Sequence, residues 1–527
     1  MPLASMGTRA LALAAVVSAA GLGLNACDSQ GKPAAHHRPH YTAPSGNAPV
    51  SGPGGHGLGL GKPLSPTPFH QPVQRPNLLM ITADDAAWND MRYMPHLQAL
   101  MADQGITLRN GMAPTPICVP ARASLLSGQY AHNHGAVTIN GAGGGVSAFP
   151  DTATLPVWLR SSGYRTMFVG KYLNGYGEAD APTYVPPGWS DWHGTVDPST
   201  YNYVMPTVNN NGHLQQYHRY NSNVISDISN RLLAQPRTAT KPWYMWVNYV
   251  APHVGGPTGP DDPPRTNPSD PHPLSTTTPA ARDAGTFSQL KLPTKPDMFE
   301  NTDDKTLIRS IHATWSADRR QELLEAFQQR VEALQSVDRA LGRTIRTLRR
   351  THQLKDTYVV FTSDNGFVLG EHNLTGKLWY FREIVGVPMY IRGPGLPRGR
   401  VSRAPVTNAD WAPTFARLAG ATPTDKVDGV DVMPWLTSKA SARIVPVEGY
   451  PVKGGLTPLY TGVVDGPWTF VEGRGGRGEL YRRTVDPWQD HNLIRDPRYH
   501  DQKRKLRRLT HRYADCAGAT CPTDFYR

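Results

Sequence analysis

Apolar runs rich in β-branched and aromatic residues recur along the chain and predict β-strands. The clearest of these runs occupy residues 77–82, 165–169, 243–249 and 357–362. Residues 317–351 instead carry apolar side chains at spacings of three and four, which is the pattern of an α-helix with one buried face. Strands that alternate with helices indicate an α/β sandwich around a mainly parallel sheet, which we expect to span residues 75–437.

The pattern changes in the last part of the chain. From about residue 444 the strand-like runs become short and are separated by glycine turns, and a helical pattern follows near the C-terminus. We expect residues 438–527 to form a small antiparallel sheet packed by that helix. A basic run at residues 503–508, continued by Arg512, is typical of the solvated face of such a helix.

The N-terminal residues have the pattern of an export signal. Arg9 precedes an apolar run at residues 10–17, and small residues continue to Cys27. The run is too short and too rich in alanine and glycine to predict a spanning helix, so we interpret residues 1–27 as a signal peptide. Residues 28–74 are rich in proline, glycine, histidine and serine, a composition typical of a flexible tether that buries no core.

Cys27 is a candidate modification site. The sequence Leu24-Asn25-Ala26-Cys27 resembles a bacterial lipobox, in which the cysteine is lipidated after cleavage. This interpretation predicts an exported cell-surface lipoprotein that meets a membrane through its lipid anchor. Secretion without an anchor is the alternative, because asparagine is unusual at this position of the motif.

The chain of 527 residues has a formal net charge of +12 at pH 7. Such a basic balance is compatible with nucleic acid, with an anionic surface or with an acidic substrate. The sequence contains no nucleic-acid-binding motif, and part of the positive excess lies in the predicted C-terminal helix. We therefore expect no nucleic-acid partner.

Polar residues directly follow two of the predicted strands. Asp84 and Asp85 come after the run at residues 77–82, and Asp364 and Asn365 come after the run at 357–362. Open α/β sheets place their ligand sites just beyond the carboxyl ends of parallel strands, which makes both pairs candidate metal ligands. Carboxylate and amide oxygens suit Ca²⁺ or Mg²⁺ better than Zn²⁺. Either pair taken by itself is typical of a solvated turn.

Residues 118–128 carry the most specific motif in the chain. They read Cys-Val-Pro-Ala-Arg-Ala-Ser-Leu-Leu-Ser-Gly, which is the pattern C-x-P-x-R-x-S-L-L-x-G. With this motif the chain resembles the formylglycine-dependent sulfatases of the alkaline phosphatase superfamily. The resemblance implies that a formylglycine-generating enzyme oxidises Cys118 to formylglycine, whose hydrate attacks the sulfur of a sulfate ester. A small buried apolar cysteine is the alternative for Cys118.

The resemblance also implies a complete metal site. The family's ligands map onto Asp84, Asp85, Asp364, Asn365 and the modified Cys118. A bound Ca²⁺, with Mg²⁺ as the alternative, would neutralise sulfate charge and lower the pKa of the hydrate.

The resemblance further implies roles for basic residues near the predicted strands. Arg122 is expected to orient the formylglycine hydrate, and Lys171 and Lys377 are expected to bind sulfate oxygens. His253 is expected to protonate the leaving alcohol with help from Lys377. Each assignment depends on the whole motif set, since a lysine after a glycine is ordinarily a surface residue.

One position departs from the family pattern near the expected site. Many arylsulfatases have a histidine, two residues after the first lysine, that deprotonates the hydrate; this chain has Leu173 there. His372 is a candidate for the missing base and for substrate binding, and a loop histidine without a role is the alternative. The run at residues 170–174, Gly-Lys-Tyr-Leu-Asn, is similar to that of the N-acetylglucosamine-6-sulfatase branch.

Two further cysteines lie near the C-terminus. Cys516 and Cys521 bracket a short loop that a disulfide could close. The oxidising surroundings of an exported protein favour this disulfide, and a pair of free thiols is the alternative.

Three functions are compatible with these features. The sequence favours a sulfuric ester hydrolase that acts on an aryl or carbohydrate sulfate, so the expected partner is a sulfated small molecule or glycan. A phosphonate or phosphate monoester hydrolase that uses the same aldehyde is the second. A surface lipoprotein that binds sulfated glycans without turnover is the third, and the intact Cys118 motif argues against it.

Overall fold

The computed structural model describes residues 62–259, 262, 274–308, 315–452 and 454–527. The predicted signal peptide, the Cys27 modification site and most of the predicted tether lie outside these residues. Among the residues that are described, no helix has both the length and the apolarity needed to cross a membrane.

Strands and helices alternate through most of the described chain. The strands are β1 (Asn77–Asp84), β2 (Ile106–Leu108), β3 (Gly111–Met112), β4 (Arg165–Lys171), β5 (Asp191–Thr195), β6 (Thr207–Asn210), β7 (His213–Gln216), β8 (Trp243–Pro252), β9 (Thr357–Ser363), β10 (Val368–Leu369), β11 (Thr375–Gly376), β12 (Met389–Arg392), β13 (Arg400–Ser402), β14 (Val406–Thr407), β15 (Ala442–Gly449), β16 (Tyr460–Asp465), β17 (Trp468–Gly473), β18 (Gly478–Arg482) and β19 (Phe525–Tyr526). The α-helices are α1 (Pro95–Leu97), α2 (Cys118–Ser127), α3 (Ala131–His134), α4 (Leu155–Ser161), α5 (Asn221–Leu233), α6 (Pro236–Thr240), α7 (Ala317–Arg350), α8 (Arg382–Val385), α9 (Trp411–Ala419) and α10 (His500–Tyr513). The four clearest apolar runs of the sequence lie in β1, β4, β8 and β9.

A mixed sheet, ten-stranded over the described residues, forms the centre of the larger part of the molecule. Its strand order is β13-β2-β12-β9-β1-β8-β4-β5-β6-β7. The central strands from β9 to β5 run parallel, whereas β12 and β6 pair antiparallel with the two ends of this block. The parallel block confirms the predicted α/β sandwich, and the antiparallel flanks make the sheet mixed.

Both faces of the parallel block of the large sheet are buried, as its nearly uninterrupted apolar strands require. Along β1, Leu78 and Met80 belong to an apolar core that includes residues of α2, α4 and α9. Leu79 and Ile81 belong to a second core with residues of α5 and α7. Because helices cover both faces, ligand sites are expected at the carboxyl ends of the strands.

The long helix α7 forms where the sequence predicts a helix. The side chain of Ser316 caps its N-terminus by accepting a hydrogen bond from the backbone N–H of Arg319 at 3.2 Å. Its apolar stripe is buried, and the part from Leu334 onward, which includes Val337 and Leu341, belongs to the second core. The buried face of α7 also carries Arg330, which contacts the candidate site described below.

A second sheet, antiparallel and with the order β18-β17-β16-β15-β19, forms near the C-terminus. Leu506 and Leu509 of α10 pack with Phe470 and Leu480 of this sheet. This arrangement confirms the predicted small antiparallel sheet with a packing helix. A disulfide joins Cys516 and Cys521 shortly after α10.

His132 of α3 links the larger part of the molecule to the C-terminal sheet. Its Nδ1 lies 3.1 Å from Glu448 Oε2 on β15, and its Nε2 lies 2.9 Å from the carbonyl oxygen of Cys516. Burial would lower the pKa of His132, but Glu448 raises it to about 9. The ring is therefore protonated at neutral pH and donates at both nitrogens.

Candidate active site

The carboxyl ends of four adjacent parallel strands converge on one site. In the order of the sheet these strands are β9, β1, β8 and β4. Their ends carry, in the same order, Asp364, Asp84, His253 and Lys171. Side chains that are far apart in the sequence therefore meet at the edge where open α/β sheets bind ligands.

Cys118 is the first residue of α2 and lies within this group. Its side chain is 1% exposed, and its Sγ accepts a hydrogen bond from Lys377 Nζ at 2.8 Å. Asp84 Oδ1 lies 3.6 Å from the same sulfur. Burial and the negative charge of Asp84 raise the pKa of the thiol to about 12, so the unmodified side chain stays protonated at neutral pH. A protonated thiol is a poor nucleophile.

Three buried carboxylates and an amide form a connected group, and two of the carboxylates lie close to the sulfur of Cys118. Asp84 and Asp85 each offer an oxygen within 4.8 Å of it. Asp364 Oδ1 accepts a hydrogen bond from the backbone N–H of Asp85 at 3.2 Å, and Asn365 Nδ2 donates to Asp85 Oδ1 at 2.7 Å. Asn365 Oδ1 is buried and has no hydrogen-bond partner among the described residues. An orphaned amide oxygen beside carboxylates is a donor that a cation can satisfy.

The carboxylates of the site differ in the direction in which their pKa values are shifted. Burial and the neighbouring charge of Asp84 raise the pKa of Asp364 to about 7, although Arg122 opposes this shift. Burial also acts on Asp84, but neighbouring positive charges, Lys171 foremost, outweigh it and hold the pKa well below its usual value. Crowded buried carboxylates of this kind are stabilised by added positive charge, which a divalent cation supplies.

Arg122 connects α2 with the ends of three strands. The residue is completely buried, and its Nε donates to Asp364 Oδ2 at 2.8 Å. One of its terminal nitrogens donates to the carbonyl oxygen of Lys171 at 3.0 Å and to Asn248 Oδ1 at 3.1 Å. Because these partners lie on or just after β9, β4 and β8, Arg122 fixes the position of α2 against the sheet.

Two lysines bring positive charge to the same site. Lys171 Nζ forms an ion pair with Asp84, and Lys377 Nζ lies 2.5 Å from Asp85 Oδ1. Burial would lower the pKa of each lysine, but the carboxylates outweigh it and hold both pKa values above the usual range. Lys171 Nζ also lies 5.0 Å from the centroid of the Tyr201 ring, a position that favours a cation. Both lysines are therefore buried and charged.

His253 has one occupied and one available ring nitrogen. Its Nδ1 lies 2.7 Å from the carbonyl oxygen of Val254 and donates to it, while its Nε2 lies 3.6 Å from Asp85 Oδ2. The Tyr201 ring lies against the imidazole at a centroid distance of 4.7 Å. Burial lowers the pKa of His253 to about 4, so the neutral ring with a lone pair on Nε2 is favoured until negative charge binds beside it.

Tyr201, Asn248 and Arg330 belong to the site although the sequence assigned none of them a role. Arg330 lies on the buried face of α7 and donates to the carbonyl oxygens of Asp85 at 2.6 Å and Pro252 at 3.1 Å. Two of the three are polar residues within apolar patterns, since Asn248 interrupts an apolar strand and Arg330 interrupts an apolar helix face. Such an interruption marks the position but does not show what the side chain contacts.

The sequence linked two positions, Leu173 and His372, to the missing base, and both are buried in the structure. Leu173 is 2% exposed and packs in the first apolar core. His372 is fully buried, with Nδ1 2.6 Å from Glu300 Oε1 and Nε2 3.4 Å from Glu383 Oε2. Burial would lower its pKa, but hydrogen bonds to these carboxylates raise it to about 9. The side-chain contacts described for His372 are with Glu300, Glu383 and Phe381, and its role as base or substrate ligand stays a prediction.

The geometry can hold an anion and a cation side by side. Lys171, Lys377 and Arg122 supply buried positive charge close to Cys118, and the carboxylates supply oxygen donors on the same side of the sheet. Such an arrangement suits a tetrahedral oxyanion bound at residue 118 together with a divalent ion.

A family model described as Sulfatase matches residues 76–421 of the chain. This range includes all of the site residues described above, from Asp84 to Lys377.

Curated relatives carry sulfatase names. Over 384 residues the chain is 32% identical to an extracellular sulfatase SULF-1 homolog of Drosophila melanogaster, which covers 70% of this chain and 32% of the relative. Over 381 residues it is 30% identical to an N-acetylglucosamine-6-sulfatase of Homo sapiens, which covers 69% of this chain and 65% of the relative. The chain thus spans 32% of the length of the fly relative and 65% of that of the human one.

A solved structure shares the fold. It shows a protein in complex with its substrate D-glucosamine-2-N,6-O-disulfate, and it superposes on 83% of this chain and 97% of that protein with a TM-score of 0.68. The sequence identity is 20%, so the likeness establishes the fold, and the substrate is a property of that protein.

Proposed function

Because the chain belongs to the sulfatase family, we propose that it hydrolyses a sulfate ester to an alcohol and inorganic sulfate. The observation that carries this proposal is the position of Cys118 at the start of α2. Lys377 Nζ lies 2.8 Å from its sulfur and Asp84 Oδ1 lies 3.6 Å from it. Residue 118 is thus surrounded by the charges that a sulfate group and its counter-cation require.

We assign the nucleophile to formylglycine formed from Cys118. Oxidation by a formylglycine-generating enzyme would supply an aldehyde whose hydrate offers one oxygen for attack on sulfur and a second for release of sulfate. The raised pKa of the thiol supports this assignment, because unmodified Cys118 provides little thiolate at neutral pH.

Asp84, Asp85, Asp364 and Asn365, together with the modified residue 118, would hold a divalent cation. We propose Ca²⁺, with Mg²⁺ as the alternative, because the encoded donors are oxygens. The unpartnered Oδ1 of Asn365 fits such a ligand. When bound, the ion would supply positive charge that neutralises the sulfate group.

Lys171 and Lys377 bind the sulfate group in this proposal. Both ammonium groups are buried, so their charge is little screened by water and stabilises the charge that develops on sulfate oxygens. Arg122 acts through position: its contacts to Asp364 and Asn248 hold α2, and therefore residue 118, against the strand ends.

His253 protonates the leaving alcohol, and Lys377 assists. The available Nε2 lies 3.6 Å from Asp85 Oδ2, and one ring nitrogen of His253 lies within 4.8 Å of Cys118 Sγ. A bound sulfate ester adds negative charge beside the ring, which raises the pKa of His253 from about 4 toward the range in which Nε2 carries a proton.

We propose a sugar sulfate as the substrate, with glucosamine 6-sulfate as the first compound to test. The support comes from the human relative named N-acetylglucosamine-6-sulfatase and from the disulfated glucosamine in the solved structure. A sugar alcohol is a poor leaving group, and a general acid such as His253 contributes most to the departure of such groups.

We propose that the protein is exported. The signal-like N-terminal pattern, the Cys516–Cys521 disulfide and the extracellular name of the fly relative support this. Lipidation of Cys27 would attach the protein to the cell surface, and secretion is the alternative. The proposed boundary between a catalytic domain (75–437) and a C-terminal subdomain (438–527) lies between α9 and β15.

Product release from matched esters tests the proposed function. Glucosamine 6-sulfate is compared with glucosamine 6-phosphate, and 4-nitrophenyl sulfate with a 4-nitrophenyl phosphonate ester, on one preparation. We expect the higher kcat/KM for the sulfate in each pair. A preference for the phosphorus esters would contradict the proposal and favour a phosphonate or phosphate hydrolase. Binding of sulfated glycans without turnover, by protein whose Cys118 is shown to be converted, would favour the binding lipoprotein.

A further inference from the structure

A second buried group of ligand atoms lies apart from the Cys118 site. Asp297, His372 and Glu383 each offer one such atom, and these atoms lie within 4.8 Å of one another. They come from the segment before α7, from the β10–β11 hairpin and from α8. We propose that this group binds a divalent transition-metal ion, and we commit to Zn²⁺ as the ion to test. The proposal does not depend on the sulfatase activity.

Asp297 is the residue that points to a missing ligand. Its side chain is 0% exposed, and both of its carboxylate oxygens lack a hydrogen-bond partner in the described structure. Lys295 Nζ lies 4.0 Å from Oδ2, but it is closely paired with Glu371. A buried carboxylate without hydrogen bonds is costly, and an ion at its oxygens removes that cost.

His372 is oriented as metal-binding histidines are. Glu300 Oε1 holds the ring nitrogen Nδ1 at 2.6 Å, which leaves Nε2 on the side of Glu383, 3.4 Å from its Oε2. The ring also stacks on Phe381 at a centroid distance of 3.7 Å. A carboxylate bonded to the far nitrogen fixes the ring and raises its basicity as a ligand, as is usual behind such histidines.

The backbone holds two of the three ligands side by side. The N–H of His372 donates to the carbonyl oxygen of Asp297 at 2.8 Å, and the neighbouring residues Met298 and Glu371 form an isolated antiparallel bridge. The hairpin that carries His372 leads directly into Lys377. An ion at this position would therefore fix the segment that presents Lys377 to the other site.

The donor set selects the kind of ion. One imidazole nitrogen and two carboxylates are borderline ligands that suit Zn²⁺, whereas the all-oxygen set after β1 and β9 suits Ca²⁺. Three protein ligands leave a fourth position for water, as in many three-ligand zinc sites. Binding requires His372 to give up the proton on Nε2 to solvent.

Zinc titration of full-length Cys118→Ala protein in excess Ca²⁺ tests the proposal, because neither the thiol nor the oxygen site then competes. We expect one tightly bound Zn²⁺ by calorimetry and a rise in Tm. In the same background, Asp297→Asn and His372→Gln should each weaken this binding by at least about 10-fold. His132→Gln is the matched control, since His132 is another histidine paired with a buried carboxylate, and it should leave zinc binding unchanged.

The absence of tight binding by the folded parent protein would overturn the proposal. Binding that survives both substitutions would overturn it as well, because the ion would then sit elsewhere, for example on His36, His37 and His40. If a substituted protein does not fold, as judged by circular dichroism, zinc-edge X-ray absorption of the parent decides. One nitrogen and at least two oxygen neighbours support the site, and several imidazole neighbours contradict it.

Discussion

The ionisable side chains around Cys118 contact one another so closely that substrate chemistry is needed to separate their roles. Lys377 Nζ touches both Asp85 Oδ1 and Cys118 Sγ, and His253 Nε2 lies near the same aspartate. Removal of any of these groups should lower turnover. A loss of rate by itself therefore assigns no role.

His253→Ala should slow poor leaving groups much more than good ones. We expect kcat/KM for glucosamine 6-sulfate to fall by about 100-fold or more, because the sugar alcohol departs with a proton. The value for 4-nitrophenyl sulfate should fall by less than about 10-fold, because the phenolate leaves without help. The measurement is the ratio of the two values in each protein.

Lys171→Ala is the control for this comparison. Lys171 is proposed to bind sulfate itself, so its loss should slow both esters equally. If His253→Ala also slows both equally, His253 binds sulfate or supports the structure, and the acid must be sought at Lys377 or His372.

The site residues that lie within a short sequence motif were predictable from the sequence. Cys118 and Arg122 lie on one helix four residues apart, and Asp84 and Asp364 each follow an apolar strand. His372 was not predictable in the same way, because its surroundings come from Glu300 and Glu383, which no local pattern connects with it.

Among the secondary-structure elements, α7 supports the site through Arg330. Arg330 donates to the carbonyl oxygens of Asp85 and Pro252, the first after β1 and the second at the end of β8, and its NH2 lies 3.3 Å from Asp90 Oδ2. The arginine and Asp90 are both nearly fully buried. Arg330 thus positions the two loops that carry Asp85 and His253.

Arg330→Met should destabilise the protein by about 3 kcal/mol or more, because it leaves the buried charge of Asp90 without its partner. Urea unfolding monitored by fluorescence measures this change. The double variant Arg330→Met/Asp90→Asn should recover part of the loss, since no uncompensated charge remains. Equal stability of the single and double variants would show that Arg330 acts through packing and its carbonyl contacts instead.

The strands were predictable as elements, but their arrangement was not. Apolar runs locate β1, β4, β8 and β9 to within a few residues, and the spacing of apolar residues locates α7. The order β9-β1-β8-β4 depends on pairing between segments that are far apart in the sequence, and single apolar runs carry no information about their neighbours. Placing the strand-end residues in one site therefore required the resemblance as well as the pattern.

At the scale of the whole molecule, His132 couples the large sheet to the C-terminal sheet through protonation. Its pKa in the folded protein is about 9, above the ordinary value of 6.5, because of Glu448. A raised pKa means that the stabilisation is fully present below pH 6.5 and is lost as pH rises through about 9.

The stability of the wild type should therefore fall more steeply than that of His132→Gln between pH 6.5 and 9. The difference should reach roughly 3 kcal/mol at most. Thermal unfolding of both proteins across this pH range measures it, and His372 contributes equally to both. If the stabilities of the two proteins change with pH in parallel, the His132–Glu448 pair does not contribute to the pH dependence.

Removal of the proposed cation should weaken the whole fold, because its ligands come from segments after β1 and β9 and from α2. Extensive chelation should lower the Tm and abolish turnover, and added Ca²⁺ should restore both in a concentration-dependent way. Asp364→Asn should require more Ca²⁺ for the same effect, because one ligand charge is lost. Protein shown to be metal-free by elemental analysis that keeps its rate and its Tm would contradict the metal assignment.

The mass of the tryptic peptide spanning residues 110–122, measured on samples whose sulfatase activity is also measured, tests the proposed nucleophile. We expect a peptide in which the CH₂SH of Cys118 has become CHO, with a loss of sulfur and two hydrogens and a gain of one oxygen. Specific activity should rise in proportion to the converted fraction and vanish in Cys118→Ala. Full activity in a sample whose peptide carries only the unmodified thiol would show that formylglycine is not the nucleophile.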